Sequence, residues 1–172
     1  MRRIGYLAIG WAVLAAGCSS SYSQKNLKEP SAKLVRGKSV VIATPANGRY
    51  SNQEYTESGQ MTALAVRDAF ARFTDAVTVS AAGKDLNALK GDGSTHFDYY
   101  VIPEILHWEE RATEWFGFPD RVHLKLTVYD GATWDEIVST SIYGTSKQAT
   151  FGGVHPQDLL PVPINKWVES LY

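Results

Sequence analysis

The alternation of hydrophobic and polar positions is clearest in the stretch RVHLKLTVYD, residues 121–130. Its apolar positions are Val122, Leu124, Leu126 and Val128. Successive side chains of an extended chain point to opposite faces, so this alternation predicts a strand with one buried face. An Asp-Gly pair then starts a tight turn, and the stretch WDEIVSTSIYG predicts a second strand that returns antiparallel to the first.

Three stretches upstream have the β-branched and aromatic residues that are typical of strands. They are SVVIAT at 39–44, AVTVS at 76–80 and FDYYVIPEILHW at 97–108. Within the last of them Pro103 lacks the N–H group that a strand donates to its neighbour, so we expect it at an edge position or a bulge.

Between the first two of these strands, the stretch MTALAVRDAFARF at 61–73 repeats its apolar residues with the period of an amphipathic helix. The predicted buried stripe is Thr62, Val66, Ala69, Phe70 and Phe73. Ser51 with Glu54 has the spacing of a capping box, and Ser58 is a second candidate for the start of this helix.

Two shorter helices complete the pattern. One is predicted in GKDLNALKGDGS at 83–94, and the other lies in the proline-containing tail HPQDLLPVPINKWVESLY at 155–172, which we expect to dock back on the sheet. The apolar face of the tail helix is Ile164, Trp167, Val168 and Leu171. The order β-α-β-α-β-β-β-α predicts an α/β (α+β) fold with a single mixed β-sheet of about five strands and helices packed on it.

The N-terminus has the features of an export signal. Met1, Arg2 and Arg3 are followed by an uncharged, mostly apolar segment at 4–16, which is too short to span a bilayer as a helix. Small residues, ending in Gly17, come directly before Cys18. This arrangement resembles a bacterial lipobox, with Ala15 where Leu is usual, and it implies cleavage between Gly17 and Cys18 and a diacylglyceryl group on Cys18. An ordinary secretory signal followed by a stray cysteine is the alternative.

A lipidated Cys18 would anchor the chain to a membrane without spanning it. Ser19 follows the cysteine, and by resemblance to the sorting rules of Gram-negative lipoproteins this favours the periplasmic face of the outer membrane. We therefore divide the chain into a signal peptide at 1–17, a lipidated cysteine and flexible tether at 18–36, and a single periplasmic domain at 37–172.

Composition narrows the partners further. The chain has 17 Lys and Arg against 18 Asp and Glu, a formal net charge of −1, and no block of basic residues, so a nucleic-acid partner is excluded. Its single cysteine cannot close an intramolecular disulfide. The covalent lipid on Cys18 is the only cofactor-like group that we predict.

No catalytic motif is present. The sequence lacks HExxH, CxxC, G-x-S-x-G and phosphate-loop patterns. His107 and Glu109 share a face of their predicted strand, but two ligands with no third at a recognisable spacing do not predict a metal site. We expect the protein not to be an enzyme. The alternative is a small-molecule or glycan binder, or a weak hydrolase, with a cleft near His107 and Glu109.

The stretch HWEERATEWFGFPDR at 107–121 is unusually aromatic for a connection between strands. Its aromatic residues are Trp108, Trp115, Phe116 and Phe118. They either fold over the sheet and close the core, or form an exposed patch that contacts a partner, a second copy of the chain or the membrane interface. We take them as candidate partner-binding residues.

The stretches HFDYYVIPEILHWEERATEW and ATFGGVHPQDLLPVPINKWVESLY, together with the lipobox, resemble an uncharacterised Gram-negative lipoprotein family, the domain of unknown function DUF4823. The resemblance implies no catalytic residue. We expect a non-catalytic assembly or accessory subunit of a cell-envelope complex, either a homo-oligomer or bound to another envelope protein.

Overall fold

The computed structural model describes residues 20–80, 84–91, 96–111, 118–146 and 154–172. The strands in chain order are β1 (Ser21–Lys28), β2 (Val40–Ala43), β3 (Arg49–Tyr50), β4 (Gln53–Glu54), β5 (Val77–Ser80), β6 (Tyr99–Glu109), β7 (Arg121–Asp130) and β8 (Glu136–Thr145). The helices are α1 (Ser58–Phe70), α2 (Leu86–Gly91) and α3 (Pro161–Leu171), and a 3₁₀ turn at Pro156–Leu159 precedes α3. Over these residues, no helix is long and apolar enough to cross a bilayer.

The predicted mixed sheet with helices packed on it is confirmed. Six strands form the main sheet in the order β1-β8-β7-β6-β2-β5, and β3 and β4 form a separate small hairpin. β2 is parallel to both β5 and β6, and the remaining neighbours in the main sheet are antiparallel. The sheet therefore joins a parallel α/β part to an antiparallel meander.

The sixth strand corrects the prediction of a flexible tether at 18–36. Residues 21–28 form β1, which pairs with β8 from Ser21 opposite Thr145 to Lys28 opposite Ser139. All eight side chains of β1 are exposed. A strand whose side chains all remain in water needs no hydrophobic alternation, because backbone hydrogen bonds to β8 place it, and this is why its sequence has the composition of a linker.

The predicted capping box at Ser51 and Glu54 is wrong. Ser51, with a positive φ of 53°, lies in the turn between β3 and β4, so these residues belong to a hairpin. The helix begins instead at Ser58, whose hydroxyl accepts a hydrogen bond from the Gly48 N–H and donates one to the Tyr55 carbonyl. A serine followed three residues later by a glutamate is compatible with a helix cap and with a hairpin turn. The hairpin forms here because it packs β3 against β6.

The larger core lies between one face of the sheet and the helices α1 and α3. All four apolar positions of β7 are buried there, as predicted. The predicted face of α3, residues Ile164, Trp167, Val168 and Leu171, is buried in the same core. The short helix α2 covers part of the opposite face, where Leu89 packs with Val41, Ala43 and Tyr100.

Pro103 does not lie on an edge strand, since β6 is central in the sheet. It lies beyond Val101, the last residue of β6 that pairs with β2. Two residues further on, the register with β7 shifts between Ile105 and His107. The missing N–H is thus accommodated where only one neighbouring strand is paired, next to a bulge.

Candidate functional site

The bulge in β6 decides which of its side chains are buried. Before it, Val101 and Ile105 lie opposite Val128 and Leu124 of the core face. After it, Trp108 lies opposite Val122 and is 2% exposed, so its ring belongs to the core. This excludes Trp108 from a partner-binding surface: the extra residue Leu106 shifts the alternation by one position and turns the indole inward.

The same shift places His107 and Glu109 together on the other face, opposite His123 and Arg121. The sequence prediction that they share a face is confirmed by the contact between them, since His107 Nε2 lies 3.2 Å from Glu109 Oε2. Tyr50 of the β3–β4 hairpin meets the His107 ring edge-on, with 5.2 Å between the ring centroids.

Glu109 is a buried carboxylate with several cationic neighbours. Its side chain is 1% exposed. Arg111 donates to its Oε1 through both Nε and Nη2, and Arg121 Nη1 lies 3.8 Å from Oε2. Burial by itself raises the pKa of the Glu109 carboxyl, but the hydrogen bonds from His107 and Arg111 lower it by more, so its pKa lies below the ordinary value.

These contacts give Glu109 an anchoring role. Both carboxylate oxygens bind side chains of the same chain, so the geometry supports a fixed ion pair better than an acid or base that exchanges protons with a substrate. In the part of the chain that the structure describes, no three His, Cys, Asp or Glu side chains form a group that could hold a metal ion.

Arg111 extends from this anchor to the end of the aromatic stretch. Its guanidinium lies over the Phe118 ring, 4.8 Å from the centroid, and its backbone N–H donates to Asp120 Oδ1 at 2.6 Å. The backbone N–H of Asp120 in turn donates a hydrogen bond to Ser146 Oγ at 2.8 Å. Burial raises the pKa of Asp120. Residues 111 and 118–120 are therefore joined to each other and to Ser146, which directly follows β8.

Of the two aromatic candidates that the structure describes, Phe118 lies at the surface, with 55% of it exposed. Trp115 and Phe116 lie outside the described residues, as do Gly17 and Cys18. Phe118 and Arg111 together present an aromatic ring and a cation, residue types that are enriched in protein interfaces.

Two polar cross-strand pairs lie further along this sheet face. Lys125 of β7 binds Glu104 of β6 at 2.7 Å, and His123 Nε2 lies 2.6 Å from Ser141 Oγ of β8. Burial and the neighbouring His107 lower the pKa of His123. Sequence reasoning identified the alternation that puts these side chains on one face, but not their cross-strand partners, which depend on the register of three strands.

The comparisons with known proteins agree with this fold. The model of a domain of unknown function, DUF4823, matches residues 32–171. No curated protein sequence matches the chain. A PelC dodecamer from Paraburkholderia phytofirmans has a similar structure, with a TM-score of 0.56 and 16% identity over 88% of this chain and 91% of that chain.

A single-substitution variant of the same PelC dodecamer gives a TM-score of 0.57 at 15% identity and covers 88% of this chain and 94% of that chain. The lipoprotein GNA1162 from Neisseria meningitidis is more distant, with a TM-score of 0.45 and 13% identity over 77% of this chain and 96% of that chain. At these identities the two PelC structures show that the fold is shared.

Proposed function

This chain belongs to the DUF4823 family, and we propose that it is a lipid-anchored, non-catalytic subunit of a homo-oligomeric complex at the periplasmic face of the outer membrane. One observation carries the proposal. The fold over most of the chain is similar to that of PelC, whose solved structures are dodecamers. A closed ring of identical subunits needs two different complementary surfaces on each copy.

The position of β1 supports the membrane anchor. β1 begins at Ser21, three residues after Cys18. An extended chain covers at most about 3.6 Å per residue, so a lipid on Cys18 would hold the start of β1 within roughly 11 Å of the membrane surface. A flexible tether of 18 residues would leave the domain free to rotate relative to the membrane. The short segment between Cys18 and Ser21 would restrict that rotation.

The sheet register shows which end of the domain that segment would hold. Ser21 lies opposite Thr145, Thr145 opposite Arg121, and Arg121 opposite Glu109. The Glu109–Arg111 anchor and Phe118 therefore lie at the end of the sheet where the chain arrives from Cys18. We propose that this end faces the membrane and that Phe118 with Arg111 forms part of the contact between copies.

The test is the native mass of the full-length protein, extracted from membranes in mild detergent, with Cys18→Ser as the matched control. We expect a discrete assembly several-fold heavier than the 19.0 kDa chain, and an N-terminal peptide that carries an acylated Cys18. The Cys18→Ser protein should fold but leave the membrane fraction. If the detergent-extracted protein were a monomer, the homo-oligomer would be refuted. If Cys18 carried no acyl group, the lipid anchor in the membrane would be refuted.

A further inference from the structure

The two helical connections in the parallel part of the sheet lie on opposite faces. From β2 the chain passes through α1 to β5, and α1 packs on the face that carries Val40 and Ile42. From β5 it passes through α2 to β6, and α2 packs on the opposite face, against Val41 and Ala43. Adjacent parallel strands β2 and β5 thus send their chains to opposite faces. In open α/β sheets, ligands bind in crevices outside the carboxyl ends of the strands.

A cavity of about 460 Å³ lies beyond the carboxyl ends of β2 and β5. Thr44, Pro45, Ala46 and Asn47, which follow β2 directly, form one wall. Lys84, which follows β5, and Arg49 and Glu54 of the β3–β4 hairpin form the others. Pockets for small molecules generally measure about 300 to 1,000 Å³, so the cavity has room for a small ligand.

The charged side chains of the cavity are two cations and one carboxylate. Glu54 is held by its neighbours, since it accepts hydrogen bonds from Arg49 Nε at 3.0 Å and Asn47 Nδ2 at 3.3 Å, and a further one from Arg49 Nη2. The hydrogen bond from Arg49 is the main cause of a lowered pKa at Glu54, and the charge of Lys84 adds to it. The carboxylate thus stays ionised and holds Arg49 in place.

A guanidinium has five N–H donors, and Glu54 engages only the Nε and Nη2 side of Arg49. Nη1 therefore keeps donors for a ligand, and Lys84 supplies a second positive charge at the cavity wall. With two cations and one ionised carboxylate, the lining of the cavity is net positive. Phosphate and carboxylate groups have the charge and acceptor geometry that such donors recognise.

We propose that this crevice is a binding site for a small anion, a phosphate- or carboxylate-bearing molecule, with Arg49 and Lys84 as its cationic ligands and the backbone of residues 44–47 as its floor. The site is separate from the Glu109 cluster and does not depend on oligomerisation. Glu54 orients the Arg49 guanidinium, whose side chain is 74% exposed, and Lys84 supplies the second positive charge.

The test is isothermal titration of the full-length protein in mild detergent with inorganic phosphate and, in a parallel series, with citrate, both at constant ionic strength. Saturable binding of one probe or both supports the site, and their ratio shows whether phosphate or carboxylate is preferred. Absence of saturable binding with both probes would overturn the proposal.

Lys84→Glu and Lys166→Glu are the matched variants, since each reverses one exposed lysine and Lys166 lies on α3, away from the cavity. We expect Lys84→Glu to weaken binding by about fivefold or more and Lys166→Glu to change it by less than about twofold. Equal weakening by both variants would mean attraction by overall charge and would overturn the site. Lys84→Gln, which removes the charge without reversing it, should give an intermediate loss and guards against misfolding of Lys84→Glu.

Discussion

Glu109 and Glu104 lie on the same face of β6, and each is paired with a cation, but only Glu109 is buried. The side chain of Glu109 is 1% exposed, whereas that of Glu104 is 45% exposed and that of its partner Lys125 35%. Removal of a charge from a buried pair leaves its partners without compensation, while an exposed pair is screened by water. The two carboxylates therefore differ in their contribution to stability although their sequence contexts look alike.

We expect Glu109→Gln to lower the free energy of unfolding by about 1–3 kcal/mol, and Glu104→Gln to lower it by less than about 1 kcal/mol. Urea denaturation of the two variants beside the unmodified protein measures both effects. If the two variants lost equal stability, the buried ion pairs of Glu109 would not stabilise the fold more than the exposed pair of Glu104 does.

Asp98 makes a pH-dependent ion pair with Lys38 at the start of β6. The hydrogen bond from Lys38, at 2.9 Å, is the main cause that lowers the pKa of Asp98 from 3.8 to about 2, and bonds from the Ser39 hydroxyl and N–H add to it. Because the folded pKa is depressed, this stabilisation is complete above the unfolded pKa and is lost as the pH falls through the folded one.

Asp98→Asn should therefore reduce the loss of stability between about pH 4 and pH 2. Denaturation midpoints measured across that range test this expectation. Lys38→Met should move the Asp98 titration, followed by NMR, upward toward 3.8. An Asp98 that already titrates near 3.8 in the unmodified protein would contradict the contact.

At the scale of secondary structure, β1 is the element that would fix how the domain is oriented on the membrane. It is an edge strand with exposed side chains, held by its backbone pairing with β8. In an antiparallel pair, successive residues direct their N–H groups alternately toward the neighbour and away from it. In a paired strand, proline therefore destabilises the fold at one of two adjacent positions and not at the other. In a flexible tether, proline would have no effect at either position.

We expect one of the two variants Ser23→Pro and Gln24→Pro to lower the free energy of unfolding by about 1 kcal/mol, with faster amide exchange in β8, and the other to be tolerated. Hydrogen exchange measured by mass spectrometry follows both strands. If neither variant changed β8, residues 21–28 would behave as a linker.

At the scale of the whole molecule, several features converge on one end of the sheet. The carboxyl ends of β2, β5 and β6 point the same way, since these strands are parallel, and the start of β1 lies at that end through the register with β8 and β7. The crevice, the Glu109–Arg111 anchor and Phe118 are thus all on the side from which Cys18 approaches. The opposite end carries the turn between β7 and β8.

Phe118→Ala tests this arrangement at the level of assembly, and Val162→Ala is its control. The two residues are 55% and 58% exposed, so neither substitution should cost more than about 0.5 kcal/mol of stability. We expect Phe118→Ala to reduce the fraction of the assembled species in detergent, and Val162→Ala to leave it unchanged. Equal native masses for the two variants would remove Phe118 from the interface.

The hydrophobic pattern alone determined the elements that bury a face. The alternation in β7, the positions Thr62, Val66, Ala69 and Phe70 of the α1 stripe and the apolar side of α3 were predicted, because burial of those side chains in one core leaves a periodic signal in the sequence. Phe73, predicted as part of the stripe, lies beyond the end of α1 and is only partly buried. The same reasoning predicted that His107 and Glu109 share a face and that the fold is a mixed sheet with helices, and the DUF4823 resemblance was confirmed.

Only the tertiary structure decided what depends on backbone pairing and register. β1 was missed because a strand with no buried face has no hydrophobic signature. The bulge at Leu106, which buries Trp108 in the core and turns His107 and Glu109 to the other face of the sheet, follows from the pairing of β6 with β7 and leaves no local pattern. The crevice is formed by residues from three separate segments, because parallel strands bring their carboxyl ends together in space and not in sequence.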